Sequence, residues 1–156
     1  MKKRICTLLL ALCLTLGLLP AAAQAAGDGS GTFDTVRWTL DADGGLTVSG
    51  TGDLPDGAFA GRTDIVTVTF TGQVARIGRS AFAGCTQLRR VDGFGAVTCV
   101  MSQAFASCTA LTELAVPGTV TEIGTGAFSA CTGLTAVTLA PGAVSYTHLT
   151  LPTILR

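Results

Sequence analysis

The sequence is poor in charge and in the side chains that most catalysis requires. Charged residues make up 13% of its 156 positions, and it contains a single histidine. Ten Lys and Arg balance ten Asp and Glu, and no basic run occurs beyond the N-terminus. Because phosphate binding depends on clustered basic side chains, this composition argues against a nucleic-acid partner. The length predicts one small domain.

The N-terminus holds much of the apolar excess. Lys2, Lys3 and Arg4 precede an apolar run from 5 to 19, and Ala23-Gln24-Ala25 supplies small residues for cleavage. These features predict a secretory signal peptide over 1–25, removed after Ala25. The run has 15 residues, fewer than the roughly 20 that a membrane-spanning helix needs. We therefore expect a secreted or cell-surface protein with no membrane span after removal of the signal peptide.

The central part of the chain repeats every 23 residues, and five sets of side chains keep this spacing. Four sets are apolar, and the fifth holds cysteine in three copies and Arg62 in the first. The copies are 54–76, 77–99, 100–122 and 123–143. The equivalent residues are Phe59, Phe82, Phe105 and Phe128; Cys85, Cys108 and Cys131; Ile65, Leu88, Leu111 and Leu134; Leu54, Ile77, Val100 and Ile123; and Val68, Val91, Leu114 and Val137.

Each copy predicts one turn of a solenoid. The segment AFAGCTQL (81–88) and its equivalents combine Ala and Phe with a polar Cys-Thr corner, which favours a short helical or 3₁₀ turn. A segment rich in Leu, Val and Thr follows, as in 111–116, and favours a short strand. No copy can bury its apolar side chains alone, whereas stacking neighbours about 4.8 Å apart encloses them in a continuous core.

These positions resemble the BspA-like leucine-rich repeats of bacterial surface antigens, a resemblance that covers residues 54–143. The resemblance implies a leucine-rich repeat solenoid and a cell-surface or secreted protein associated with adhesion. Departures from the repeat include Arg62 in place of cysteine and Val100-Met101 in place of Ile-Gly. The fourth copy shows the matching residues Ile123-Gly124, Ala127-Phe128, Cys131, Leu134, Val137 and Leu139.

Residues 26–53 have a different pattern. The segments 36–40 and 46–49 alternate apolar and polar residues around the Gly-rich turn 41–45, which predicts a β-hairpin. We interpret the hairpin as an N-terminal cap, since the first coil would otherwise expose apolar side chains and a strand edge. Trp38 is expected to cover that coil's core. The alternative of a calcium loop at Asp41 and Asp43 lacks the ligands and closing Glu of an EF-type loop.

The repeat pattern stops after Ala143. The string VSYTHLTLPT (144–153) resembles the in-frame translation of a transposase adapter used to prepare sequencing libraries. We therefore interpret 144–156 as a non-native scar, the alternative being the beginning of a fifth coil. The only histidine, His148, and the only tyrosine, Tyr146, lie in this segment. They support no functional prediction.

Four cysteines remain after removal of the signal peptide, and in a secreted protein they allow three disulfide connectivities. Stacking favours another outcome, because Cys85, Cys108 and Cys131 would lie above one another with parallel Cβ directions, farther apart than the roughly 3.8 Å that a disulfide prefers. We predict a ladder of buried thiols, with Cys99 as the more exposed one. No CxxC pair or usable histidine supports a zinc site.

Catalytic motifs are missing from 26–143, which contains no His, Lys or Tyr and no nucleophile or phosphate-binding motif. We predict a non-enzymatic chain with no cofactor, metal or catalytic residue. The favoured function is binding of an extracellular protein or cell-surface ligand, and the alternative is a structural or targeting module of a longer secreted protein. The predicted binding face consists of outward strand positions of successive copies: Arg89, Arg90, Asp92, Thr112, Glu113, Thr135 and Thr138.

Overall fold

The computed structural model describes residues 29–141 and the backbone of 145–146. The predicted signal peptide lies outside the described residues, as does most of the predicted scar. No helix long and apolar enough to cross a membrane occurs in the described part. The strands are β1 (Gly29–Phe33), β2 (Val36–Leu40), β3 (Gly45–Leu54), β4 (Thr67–Phe70), β5 (Gln73–Ile77), β6 (Arg90–Asp92), β7 (Cys99–Val100), β8 (Glu113–Val116), β9 (Glu122–Ile123), β10 (Ala136–Leu139) and β11 (Ser145–Tyr146).

The strands form two parallel stacks joined by β3. The first half of β3 pairs with β4, and its second half pairs with β5, with a register shift between Gly52 and Asp53 inside the second pairing. One stack continues from β4 to β6 and, one coil further, contains the pair β8–β10. The other runs β5–β7–β9–β11. Each coil therefore contributes one strand to each stack, and β3 occupies the place of a preceding coil in both.

The register of these pairs confirms the solenoid of 23-residue coils. Leu54 is paired with Ile77, Ile77 with Val100, and Val100 with Ile123, so one column of the repeat runs through the stack. The pair Ser145 and Glu122 keeps the same offset of 23 residues. Within each strand the columns predicted to be apolar point inward, because alternate residues of a strand lie on opposite faces.

The short helical or 3₁₀ turns expected at 81–88 and its equivalents are not confirmed, since residues 29–141 contain turns and strands but no helix. Two columns of each turn have positive φ, whereas a right-handed helix needs negative φ throughout. The first column holds Gly57, Ser80, Gln103 and Gly126, with φ between 54° and 65°. The second holds Gly61, Gly84, Ser107 and Ala130, with φ between 57° and 76°.

This alternation lets the turns form a third ladder between coils. The amide of Phe59 donates to the carbonyl of Ala81 at 2.7 Å, and Phe82 donates to Ala104 at the same distance. Phe105 continues the series by donating to Ala127 at 2.8 Å. A helix would direct these amides along its own axis. The turn conformation instead uses them to hold neighbouring coils together.

A stack of phenylalanine rings runs through the core behind this ladder. The ring centroids of Phe59 and Phe82 are 5.3 Å apart, those of Phe82 and Phe105 are 5.1 Å apart, and those of Phe105 and Phe128 are 5.5 Å apart. At the cap, Trp38 meets Phe59 edge to face at 5.6 Å. Trp38 therefore covers the end of the phenylalanine stack, as the sequence predicts.

Candidate functional site

The predicted binding residues lie on β6, β8 and β10 or directly before these strands. We call the outer surface of β4, β6, β8 and β10, together with the residue before each of the last three strands, the front face. Register places Arg90 beside Thr67 and Asp92 beside Thr69. It also places Glu113 beside Ala136 and Thr138 beside Ala115. All seven predicted side chains are exposed except Asp92, which is half-buried. The structure thus brings these residues onto one surface, while their role in binding stays a prediction.

The side chains of the front face are not equally available to a partner. Arg90 Nε donates to Asp92 Oδ1 at 2.8 Å, so these two residues are paired with each other. The hydroxyl of Thr135 donates to the backbone carbonyl of Thr112 at 3.1 Å. Arg89 and Glu113 form no ion pair with any residue in the described part of the chain. Arg89 and Glu113 are therefore the charges that a ligand can reach without displacing an internal partner.

Threonine hydroxyls reinforce the backbone ladders, a feature that sequence reasoning missed. The Oγ1 of Thr98 donates to the carbonyl of Ala75 at 3.2 Å, and that of Thr121 donates to Thr98 at 3.2 Å. Each bond spans 23 residues, one coil of the stack. The recurrence of threonine at this spacing was the available signal. These side chains stabilise coil stacking and leave fewer hydroxyls free for recognition.

The cysteines of the repeat form the predicted ladder of buried, unbridged thiols. Cys85 Sγ donates to the carbonyl of Phe59 at 3.2 Å, and Cys108 donates to Phe82 at the same distance. Cys131 donates to Phe105 at 3.1 Å. Burial raises the pKa of the Cys85 thiol to about 12, so it stays protonated at neutral pH. The fourth thiol, Cys99, is half-buried between Arg76 and Glu122 in the adjacent strands.

We expect only one of the four cysteines in the described part of the chain to react with a thiol reagent while the chain is folded. Iodoacetamide applied to the folded chain at pH 8 should modify Cys99 and leave Cys85, Cys108 and Cys131 intact, because reaction needs an accessible thiolate. The pKa of the Cys85 thiol is about 12 in the folded chain and about 8.5 in the unfolded chain. Its contribution to the free energy of unfolding is therefore complete below about pH 8.5 and is lost as the pH rises from there towards 12, because the unfolded chain ionises first. Peptide mass spectrometry reads the modified sites.

The same reaction in concentrated urea is the control for this measurement. All four thiols should then react, since unfolding removes the burial that protects three of them. Protection that survives denaturation would reveal a disulfide and contradict the thiol ladder. Equal labelling of Cys85 and Cys99 in the folded chain would show that the ladder opens to solvent.

Arg62 replaces cysteine in the first coil and connects that coil to the cap. Its Nε donates to Asp64 Oδ1 at 2.9 Å, and its guanidinium carbon lies 5.6 Å from the centroid of the Trp38 ring. The hydrogen bond between the side chains raises the pKa of Arg62 and lowers the pKa of the Asp64 carboxyl. A neutral thiol could make neither contact. The departure from the repeat is therefore explained by the neighbouring hairpin.

A groove of about 540 Å³ lies beside the hairpin turn, lined by residues 40–44 together with Thr63, Asp64, Val66 and Gln87. Asp41 Oδ1 accepts the amides of Asp43 at 3.0 Å and Gly45 at 2.7 Å, so this carboxylate holds the turn. In residues 29–141, no three side chains of His, Cys, Asp or Glu are grouped so that they could hold a metal ion. The calcium-loop alternative thus gains no support here.

The structure consists of stacked 23-residue coils with two parallel strand ladders around a core of Leu, Ile, Val and Phe. These features define a leucine-rich repeat protein. The model of the BspA type leucine-rich repeat region, which has six copies, matches residues 52–149. The chain therefore belongs to the BspA type leucine-rich repeat family, as the sequence resemblance predicts. No curated protein matches the sequence.

Two solved bacterial leucine-rich repeat proteins are among the structures similar to this chain. A leucine-rich repeat protein from Bacteroides capillosus ATCC 29799 is 21% identical, with a TM-score of 0.50 over 70% of this chain and 97% of that one. The leucine-rich repeat protein of T. pallidum is 23% identical, with a TM-score of 0.45 over 70% of this chain and 71% of that one. At these identities, the first match supports the fold alone.

Proposed function

We propose that this chain is a secreted or cell-surface binding module without catalytic activity, and that its front face holds an extended protein or cell-surface ligand. The observation that carries the proposal is the register of outward side chains, which places those of β6 beside those of β4 and those of β10 beside those of β8. Repeat stacks present such columns at regular intervals, which suits partners that extend along the stack. Membership of the BspA type family supports the same class of function.

A closely packed core also supports the front face, which favours binding. Its strands rest on a core in which Phe82, Leu88 and Leu111 are fully buried. Side chains on a rigid scaffold lose less conformational freedom on binding than those on loops, so more of the interaction energy contributes to affinity. Arg89 and Glu113 are the two charged anchors of this surface, since both are exposed and outside the internal ion pairs of residues 29–141. A matching ligand presents a carboxylate and an amine or guanidinium along an extended segment.

The sequence also supports the other two parts of the proposal, that the chain is secreted and that it has no catalytic activity. The signal peptide predicted over 1–25 supports export, and the lack of His, Lys and Tyr over 26–143 supports a function without proton transfer. Two acidic side chains near the cap have structural roles that their hydrogen bonds identify. Asp41 holds the hairpin turn, and Asp64 pairs with Arg62.

Charge reversals on opposite faces of the third coil provide the test. Glu113→Lys changes the front face, whereas Glu122→Lys makes the same change on β9, in the other stack. Both side chains are exposed, so neither variant should unfold the chain. The probes are immobilised collagen, immobilised laminin and intact bacterial cells, each titrated with labelled protein. We expect Glu113→Lys to weaken binding at least about tenfold, which corresponds to 1.4 kcal/mol, and Glu122→Lys to leave it unchanged.

Two results would overturn the proposal. Equal losses for Glu113→Lys and Glu122→Lys would show that the front face is not the recognition surface. If the unaltered chain bound none of the three probes, the result would contradict a protein or cell-surface ligand for this module. Circular dichroism of each variant confirms that a loss of binding does not come from unfolding.

A further inference from the structure

The strands of the front face, β4, β6, β8 and β10, form a ladder that is interrupted between β6 and β8. Strand β6 pairs with β4, and β8 pairs with β10 in a separate sheet, but β6 and β8, both fully described, share no strand pairing. The amide of Thr112 donates to the carbonyl of Arg89 across this junction at 3.4 Å. The equivalent bond one coil earlier, from Arg89 to Val66, is 2.8 Å. This ladder, which we call the front ladder, is therefore weak between the second and third coils.

The two other ladders are intact at the same junction. On the turn side, the amide of Phe82 donates to the carbonyl of Ala104 at 2.7 Å. In the other stack β7 pairs with β9, and the amide of Gly124 donates to the carbonyl of Val100 at 2.7 Å. The second and third coils are thus joined firmly on two sides and weakly on the front, which is the arrangement of a hinge.

Gly93 explains why the front ladder weakens at this point. It occupies the repeat position that holds the buried Phe70 in the first coil and the buried Val116 in the third. Its φ of +68° ends β6 at Asp92, because a strand needs negative φ. A Cβ at this position would lie 2.6 Å from the carbonyl oxygen of Phe70, so the path of the chain requires glycine here.

The residue after Gly93 keeps the core closed behind the interruption. Phe94 is 3% exposed, and its ring centroid lies 6.0 Å from that of Phe70 and 6.4 Å from that of Phe105. It therefore contacts the coil before its own and the coil after it. Because this ring fills the core that Gly93 leaves empty, the front ladder can open without exposing the interior.

Arg90 lies beside two carboxylates on different strands of this junction. Asp92, two residues further along β6 and on the same face, accepts from Arg90 Nε at 2.8 Å. Glu113 follows Arg90 by 23 residues and so occupies the same column on β8. Opposite charges in one column of neighbouring strands attract each other. Both side chains are exposed, so pairing within β6 and pairing across the junction are close in free energy.

We propose that the junction between β6 and β8 is a hinge of the front face, open while Arg90 pairs with Asp92 and closed when Arg90 pairs with Glu113. Opening changes the distance between the two charged anchors, since Arg89 lies on one side of the hinge and Glu113 on the other. Closing occupies Glu113 internally. A ligand that binds Glu113 therefore shifts the equilibrium towards the open state, a consequence that rests on the proposed binding function.

Hydrogen exchange of single amides, followed by NMR on the chain from Ala26 onward without a ligand, tests the hinge. We expect the amide of Thr112 to exchange at least about tenfold faster than that of Arg89, after correction for intrinsic rates, because it lies where the front ladder opens. Gly124 is the control in the other stack at the same junction and should be as protected as Arg89. Equal protection of Thr112 and Arg89 would overturn the hinge.

Asp92→Asn tests the role of Arg90, since it removes the carboxylate that holds Arg90 on its own strand. Arg90 should then pair with Glu113 and slow the exchange of Thr112 by about two- to fivefold, as expected for an exposed ion pair. Adding Glu113→Gln to this variant is the matched control and should restore the original rate. An unchanged rate in Asp92→Asn, or a slow rate in the double variant, would overturn the exchange of partners. Ligand-free measurements keep these outcomes independent of the proposed binding function.

Discussion

Replacing Phe105 with alanine is expected to lower the free energy of unfolding by about 3–5 kcal/mol. The ring is completely buried and lies between two others, 5.1 Å from Phe82 and nearly parallel to it, and 5.5 Å from Phe128. Phe94 meets it from the side at 6.4 Å. Removing the ring leaves a cavity in the middle of the stack, where coils on both sides are fixed by three ladders and cannot collapse into it.

Urea unfolding monitored by circular dichroism measures this loss. Phe33→Ala serves as the matched control, because Phe33 is half-buried at the cap and contacts Phe59 from one side only. Its replacement should cost clearly less than that of Phe105. Equal losses for the two variants would mean that packing on both sides of the Phe105 ring adds no stability beyond that of a ring packed on one side. A loss below about 1 kcal/mol for Phe105→Ala would show that the coils close the gap.

The second large effect is expected for Gly78→Ala, which should destabilise the chain by about 3 kcal/mol, the upper end of the range for overpacking. A Cβ at this position would lie 2.5 Å from the carbonyl oxygen of Leu54 and 2.5 Å from the carbonyl carbon of Pro55. Both are backbone atoms of the preceding coil, so no side-chain rotation relieves the clash. The two coils would have to move apart, which weakens every ladder between them.

Gly57→Ala separates this steric effect from the conformational freedom of glycine. Gly57 has φ of +65°, and no atom lies within 4 Å of its Cβ position. Alanine there should cost about 1–2 kcal/mol from the left-handed backbone alone. Unfolding in urea compares the two variants directly. If Gly78→Ala costs no more than Gly57→Ala, contact between coils is not what requires glycine at position 78.

The solenoid could be predicted from the sequence because each structural column is also a sequence column. Leu54, Ile77, Val100 and Ile123 share one environment in successive coils, so burial selects an apolar residue every 23 positions. The same argument places Cys99 beside Arg76 and Glu122, as the structure confirms. Register follows from the period, since a slip would remove every apolar column from the core.

The turn conformation could not be derived in the same way. Its left-handed columns contain glycine in some coils, yet Gln103 and Ala130 occupy them in others with φ of 59° and 57°. Ala and Phe in these segments favour a helix locally, and the amide ladder between coils overrides that preference. Glycine at Gly57 and Gly126, and at Gly61 and Gly84, was the signal that a helical interpretation overlooked.

For the candidate site, the alternation of apolar and polar residues along the strands was sufficient to predict which side chains point outward. It did not show which of them are available to a ligand. The sequence places Arg89, Arg90 and Asp92 on neighbouring positions, and only the coordinates show that Arg90 turns to Asp92. Likewise, the sequence shows only that Arg62 occupies the repeat position that holds cysteine in the other copies. Its contacts with Trp38 and Asp64 depend on how the hairpin meets the first coil, which no local pattern encodes.

The hydrogen bonds from the buried thiols to phenylalanine carbonyls have a consequence for how the protein matures. Cys85, Cys108 and Cys131 stabilise the coils through these hydrogen bonds, with no covalent bond between them. The stack therefore gains its cohesion without an electron acceptor, and no isomerase is needed to correct mispaired sulfurs during folding. We therefore expect its stability not to depend on the thiol–disulfide potential of the surroundings, including strongly reducing ones.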